Sequence, residues 1–126
     1  MPNTILTVDD SSTIRKLVGQ AAAVVGFSLM EAENGKQALE VLAAHVDDIA
    51  LIILDVNMPV MDGESTLHEI KADPRFQHVP VMMLTTESEG ERVMGFIKGG
   101  AANYLMKPFS EMDLAAKVAS CLGMGF

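Results

Sequence analysis

The strongest constraint on this chain is the alternation of short apolar runs with longer segments of helical pattern. Residues 5–8, 51–54 and 81–84 are almost continuously apolar, which is typical of strands covered on both faces of a sheet. Residues 27–30 and 104–106 are weaker runs of the same kind. The pattern therefore predicts five strands, each short enough to lie inside one small domain.

Helical segments follow these runs, and their ends carry recognisable signals. Gly26 ends the first segment, Asn34 caps the second, Pro74 stops the third, and Ser110 caps the last. The predicted helices are residues 12–25, 34–46, 63–72, 91–98 and 110–122. Strands that alternate with helices predict an α/β fold, with a parallel sheet between helical layers, as one domain over residues 1–126.

Composition excludes several classes of function. Nine Lys and Arg stand against seventeen Asp and Glu, and the net charge of −8 disfavours nucleic-acid binding. The longest apolar run, residues 49–54, is far shorter than the ~20 residues of a membrane-spanning helix, and no secretory signal precedes the first strand.

Cys121 is the only cysteine and cannot form an internal disulfide. We expect a cytoplasmic monomer without nucleic-acid or membrane partners, whose ten methionines mostly pack in the core.

Polar residues follow the predicted strands at the points where the strands end. Asp9 and Asp10 follow the first strand, Asp55 the third, Thr85 the fourth and Lys107 the fifth. The carboxyl ends of parallel strands meet at one edge of a sheet, where open α/β folds bind their ligands. These five side chains are therefore expected to converge in space.

The converging side chains have the chemistry of a phosphoryl-acceptor site. Three clustered carboxylates repel one another and suit a hard divalent cation such as Mg2+. One carboxylate can attack phosphorus and form an aspartyl phosphate, while Lys107 and the Thr85 hydroxyl bind phosphoryl oxygens. Singly, an Asp-Asp pair before a helix is often only a cap, and a lysine is often only a surface residue. The placement of all five residues at one edge of the sheet favours a phosphoryl-acceptor site over these simpler explanations.

Four motifs resemble those of two-component response-regulator receiver domains, in particular the stand-alone chemotaxis members of CheY type. The motifs are residues 8–12, 54–63, 84–87 and 100–109, and the resemblance runs from about residue 5 to about residue 122. It implies a doubly wound, flavodoxin-like three-layer sandwich of five β/α units. The parallel sheet would have the strand order 2-1-3-4-5.

The same resemblance implies roles for residues of the site. Asp55 would be the phosphoacceptor, Asp10 a direct Mg2+ ligand, and Asp9 a ligand acting largely through water. The backbone carbonyl of Asn57 would be a further metal ligand. The peptide bond between Lys107 and the following proline would be cis, which is uncommon even before proline.

A conformational switch is also implied by the resemblance. Thr85 would move toward the phosphoryl group, and the ring of Tyr104 would turn into the vacated space. This would change the surface formed by the fourth helix, fifth strand and fifth helix. Asn57 and Glu87 would tune dephosphorylation, and this pair is similar to that of fast-cycling chemotaxis members.

The resemblance implies a signalling protein rather than an enzyme acting on an external substrate. A CheA-like histidine kinase would donate the phosphoryl group. The output partner would be the flagellar motor switch, with a phosphatase as a further partner. The alternative is a phosphate sink, or a regulator of another kinase or phosphatase, because residues 87–91 are acidic where motor-binding relatives tend to be basic. Since the receiver fold uses all 126 residues, no effector domain is expected and the signal passes to a separate protein.

Two other functions fit the fold class less well. A phosphatase with an aspartate nucleophile needs a second aspartate two positions later as general acid, and that position is Asn57. A flavodoxin-like FMN protein needs a phosphate-binding loop after the first strand, and the loop here is acidic. The sequence therefore favours a phosphoacceptor over both of these alternative functions.

Overall fold

A five-stranded parallel sheet forms the centre of the molecule, in the order β2-β1-β3-β4-β5. The computed structural model describes residues 2–124. The strands are β1 (Thr4–Val8), β2 (Ser28–Ala32), β3 (Ile49–Asp55), β4 (Val81–Thr85) and β5 (Asn103–Met106). The predicted fold class and strand order are confirmed.

Helices cover both faces of this sheet. They are α1 (Ser12–Val24), α2 (Gly35–His45), α3 (Gly63–Ala72), α4 (Val93–Lys98) and α5 (Glu111–Cys121), with 3-10 turns at Val46–Asp48 and Glu87–Arg92. The helix starts predicted at Asn34 and Ser110 are confirmed, since each side chain accepts a hydrogen bond from the backbone three residues later. Gly26, which follows α1, adopts the left-handed φ of 81° that favours glycine.

Two hydrophobic clusters lie on opposite faces of the sheet, because successive strand residues point to opposite sides. Met83 packs with α2, α3 and α4 on one face, whereas its neighbour Met82 packs with α1 and α5 on the other. The central strands β1, β3 and β4 are covered on both sides. This is the physical reason why they read as continuous apolar runs.

The amino end of the fourth helical segment differs from the prediction. The chain turns at Glu87–Arg92 before α4 begins at Val93, whereas the sequence pattern predicted a helix over residues 91–98. The Glu89 carboxylate accepts a hydrogen bond of 2.7 Å from the backbone N–H of Thr86. These two residues have the spacing of a capping box, which marks the true start of the turn.

The expectation that the methionines mostly pack in the core is wrong for several of them. Met82 and Met83 are fully buried, but Met94, Met106 and Met112 are 64%, 37% and 77% exposed. These exposed methionines belong to the edge strand β5 and to α4 and α5, the helices that precede and follow it in the chain. Within residues 2–124, none of the helices combines the length and apolar character needed to cross a bilayer.

Candidate functional site

The first part of the candidate site is the connection between β1 and α1. Asp9 directly follows the last residue of β1 and is 1% exposed, whereas Asp10 is exposed. The Asp9 Oδ1 atom accepts a hydrogen bond of 2.9 Å from the backbone N–H of Ser11, which is the N-cap of α1. The start of the helix therefore fixes the orientation of one buried carboxylate at the sheet edge.

The second part is the end of β3 and the connection to α3. Asp55 is the last residue of β3 and is 5% exposed. The backbone N–H of Gly63 donates to the carbonyl of Val56 at 2.8 Å. A Cβ atom on Gly63 would lie 2.1 Å from the Asp55 carbonyl oxygen. Only glycine allows the start of α3 to approach the strand this closely, and the approach holds Asp55 in place.

The structure brings all three predicted acids together. Asp9, Asp10 and Asp55 each offer one carboxylate oxygen, and these oxygens lie within 4.8 Å of one another. An oxygen-only donor set of this charge suits Mg2+, which is held by one or two carboxylates and keeps several waters. Asn57 lies two residues after Asp55, so its backbone carbonyl belongs to the same loop.

Lys107 provides the positive charge at this edge of the sheet. Its Nζ atom donates to Asp55 Oδ1 at 3.0 Å and lies 3.7 Å from Asp9 Oδ2. The Lys107 backbone N–H donates to the carbonyl of Thr85 at 2.6 Å, which ties the end of β5 to β4. The peptide bond from Lys107 to Pro108 is cis, as expected.

The electrostatics of the cluster are dominated by burial and by repulsion among the acids. Burial and then the charge of Asp9 raise the pKa of Asp55 to about 6, against the lowering effect of Lys107. Burial also raises the pKa of Asp9. Burial acts to lower the pKa of Lys107, but the hydrogen bond to Asp55 and the charges of both acids raise it overall. The ammonium group therefore stays charged at neutral pH.

Two buried oxygens at this edge have no hydrogen-bond partner among the described residues. They are Asp9 Oδ2 and the hydroxyl Oγ1 of Thr85, a residue that is fully buried at the end of β4. An unpaired buried polar atom is destabilising unless a ligand satisfies it. The carboxylate oxygen fits a cation or its water shell, and the hydroxyl fits an anionic oxygen. The residues present thus fit both Mg2+ and a phosphoryl group.

Tyr104 and Asn57, which were also predicted, contact residues outside the aspartate cluster. Tyr104 is 36% exposed on β5, and the Nζ atom of Lys117 lies 5.7 Å from the centroid of its ring. The Asn57 side-chain amide donates to a carboxylate oxygen of Glu89. The side chain of Glu87 lies outside the described part of the structure, so its predicted role in dephosphorylation stays a prediction.

Two residues at the rim of the site were missed by the sequence reasoning. Arg15 on α1 donates from Nη1 to the Asp9 carbonyl at 2.8 Å and from Nε to Glu31 at 3.0 Å, which ties the acidic loop to β2. Glu89 is 4% exposed and contacts Asn57. The capping-box spacing from Thr86 to Glu89 was the available signal for the second residue. For Arg15 the sequence carries no comparable signal, because its partners Asp9 and Glu31 are 6 and 16 positions away, which matches no local capping or helix-face spacing.

Comparison with known proteins agrees with this geometry. The model of the response regulator receiver domain family matches residues 5–119. The chemotaxis protein CheY1 of Helicobacter pylori strain J99 is 38% identical over 120 residues, which cover 94% of this chain and 96% of that protein. The chemotaxis protein CheY of Pseudomonas aeruginosa is 35% identical, covering 90% and 91%. The solved structure of CheY4 from Vibrio cholerae has a TM-score of 0.84 at 32% identity, covering 97% of this chain and all of that chain.

Proposed function

The chain belongs to the response regulator receiver domain family, and on that premise we propose that it accepts a phosphoryl group on Asp55 in a chemotaxis pathway. The observation that carries the proposal is the contact of 3.0 Å between the buried Asp55 carboxylate and Lys107 Nζ, inside a cluster of two further aspartates. A nucleophile, a cation and metal-type ligands are thus within one small volume. The donor would be a CheA-like histidine kinase.

Each residue has a defined part in the proposed transfer. An oxygen of ionised Asp55 attacks the phosphorus of a phosphohistidine, so that a P–O bond forms as the P–N bond breaks and the imidazole leaves. Lys107 and the Thr85 hydroxyl bind the phosphoryl oxygens as charge builds on them. Asp10, Asp55, the Asn57 carbonyl and, through water, Asp9 would hold Mg2+, which supplies charge neutralisation for the phosphoryl oxygens. No general base is needed, because the nucleophile is already ionised.

We propose that the phosphorylated state is signalled through the surface formed by α4, β5 and α5. Thr85 would move toward the phosphoryl group and the Tyr104 ring would turn inward. This surface exposes a set of large apolar side chains that a partner can cover: Met94, Ile97, Tyr104, Met106 and Met112. Their exposure supports a protein partner, for which the flagellar motor switch is the first candidate.

A second candidate output follows from charge. The segment 87–91 ahead of α4 carries three glutamates and no basic residue, and of these Glu91 is exposed whereas Glu89 is buried. An acidic segment at this position favours a different partner from the one bound by relatives whose corresponding segment is basic. We therefore keep a phosphate sink, or a regulator of another kinase or phosphatase, as the alternative to motor binding. In either case the protein acts in the cytoplasm as a phosphoacceptor that hydrolyses its own phosphate, not as an enzyme with an external substrate.

The direct test of the proposed function is labelling by acetyl phosphate in the presence of Mg2+. We expect Asp55→Asn to abolish the mass increase of one phosphoryl group, because the amide is not a nucleophile. The matched control is Asp47→Asn, an exposed residue just before the opposite end of β3, which is expected to label like the unmodified chain. Undiminished labelling of Asp55→Asn would place the acceptor elsewhere.

A further inference from the structure

Glu89 is a buried acid that the proposed phosphotransfer does not use. It lies in the 3-10 turn between β4 and α4 and is 4% exposed. It forms no salt bridge with any described residue. A buried carboxylate without a cation requires hydrogen bonds to offset its lost hydration. The position of those bonds indicates what the residue does.

The hydrogen bonds of Glu89 join two loops of the site. One carboxylate oxygen accepts from the backbone N–H of Thr86 at 2.7 Å, and the other accepts from the side-chain amide of Asn57. Thr86 directly follows Thr85, the proposed mobile residue, and Asn57 is two residues from the acceptor Asp55.

We propose that Glu89 is a positioning residue that, acting through Asn57, stabilises the unphosphorylated state. The inference rests on the proposed function, since it concerns how the same site responds to phosphorylation. Movement of Thr85 toward a phosphoryl group displaces Thr86 and strains the bridge to Asn57. Loss of the bridge therefore shifts the two-state equilibrium toward the phosphorylated conformation.

The test is the affinity for beryllofluoride, a mimic of the aspartyl phosphate, measured by calorimetry with Mg2+. We expect Glu89→Ala to bind roughly fivefold more tightly, the effect of losing one charge-assisted hydrogen bond that opposes the bound state. Glu89→Gln has one acceptor oxygen in place of two, so it cannot accept both hydrogen bonds. It is expected to show the same direction of change, and it serves if the alanine variant unfolds. Glu91→Ala is the matched control, because Glu91 has the same charge but is exposed. Its affinity is expected to stay unchanged.

A double-mutant cycle separates action through Asn57 from a role in helix capping alone. In an Asn57→Ala background, we expect Glu89→Ala to have no further effect on beryllofluoride affinity. A persisting effect in that background, or no effect in the unmodified chain, would overturn the inference. If the unmodified chain does not bind beryllofluoride with Mg2+, the proposed function itself fails. The two failures are therefore distinguishable.

Discussion

Asp55 differs from the other two acids of the cluster in its surroundings. Asp9 has one oxygen bound to the Ser11 N–H and is 1% exposed, so its approach to a donor is restricted. Asp10 is exposed and forms no salt bridge with Lys107 among the described residues. Only Asp55 combines burial with a hydrogen bond to the ammonium group. The three side chains are chemically identical, so this difference in surroundings is what favours Asp55 as the nucleophile and leaves the other two as metal ligands.

The raised pKa of Asp55 predicts how its replacement changes stability. Without metal, its folded pKa of about 6 exceeds the ordinary value of 3.8, so the folded state binds the proton more tightly. Ionisation of Asp55 therefore lowers stability as pH rises from about 4 to 6, and the loss is complete above pH 6. We expect Asp55→Asn to raise the free energy of unfolding by about 2 kcal/mol at pH 8 and by little at pH 4.

Urea unfolding in EDTA at pH 4, 6 and 8 measures this dependence. Asp47→Asn is again the control, because that side chain is exposed at the other end of the sheet. An equal gain from Asp55→Asn at pH 4 and pH 8 would contradict the prediction. Such a result would mean that burial and the charge of Asp9 do not destabilise the ionised carboxylate.

At the scale of secondary structure, the site depends on how closely α3 approaches β3. The chain leaves β3 at Asp55, forms a loop, and returns so that Gly63 begins α3 against the end of the strand. Asp62 caps this helix by accepting a hydrogen bond of 2.8 Å from the Ser65 N–H. The backbone around Asp55 is thus clamped between a strand and a helix start, which keeps the nucleophile rigid.

We predict opposite outcomes for one substitution at two glycines. In Gly63→Ala the new Cβ would lie 2.1 Å from the Asp55 carbonyl oxygen, and we expect a loss of about 1–3 kcal/mol of stability together with slower labelling by acetyl phosphate. In Gly95→Ala the new Cβ meets no described atom within 4 Å in α4. That variant is expected to gain up to about 1 kcal/mol. Thermal unfolding and the rate of labelling by acetyl phosphate measure both effects. A Gly63→Ala variant with unchanged stability and labelling rate would show that the close approach of α3 to β3 does not hold Asp55 in place.

At the scale of the whole molecule, the sheet brings together residues that are far apart in sequence. Asp9 and Lys107 come from the first and last strand regions, and their charged atoms are 3.7 Å apart. The two hydrophobic clusters hold the sheet between its helices and set this geometry. The carboxylates are concentrated at one edge without full compensation by cations, so the fold carries a local repulsion that a divalent ion would relieve.

Mg2+ is therefore expected to stabilise the whole molecule. A ligand that binds only the folded state at one hundred times its dissociation constant adds about 2.7 kcal/mol of stability. We expect a concentration-dependent rise in the melting temperature of the unmodified chain and a much smaller rise for Asp10→Ala. The control is Asp48→Ala, since Asp48 is exposed and lies before β3. An equal rise in Asp10→Ala would remove that residue from the proposed ligand set.

Local sequence patterns determined the element types and much of the site. Strands β1, β3 and β4 are buried on both faces and carry a continuous apolar signal, so their ends, and hence the residues following them, could be located. Edge strand β5 alternates between half-buried and exposed residues and carries a weaker signal. Helix boundaries followed from Asn34 and Ser110, because capping is a local interaction.

The tertiary structure decided what depends on contacts between distant segments. The exposure of Met94 and Met112 follows from which face of each helix the sheet leaves uncovered, and an apolar side chain alone does not reveal this. The bridge from Glu89 to Asn57 joins residues 32 positions apart, and the raised pKa of Asp55 requires burial beside Asp9. The sequence thus determined which chemical groups stand at the sheet edge. Packing determined the distances between these groups and the pKa shifts that result, because both depend on three-dimensional proximity rather than on sequence order.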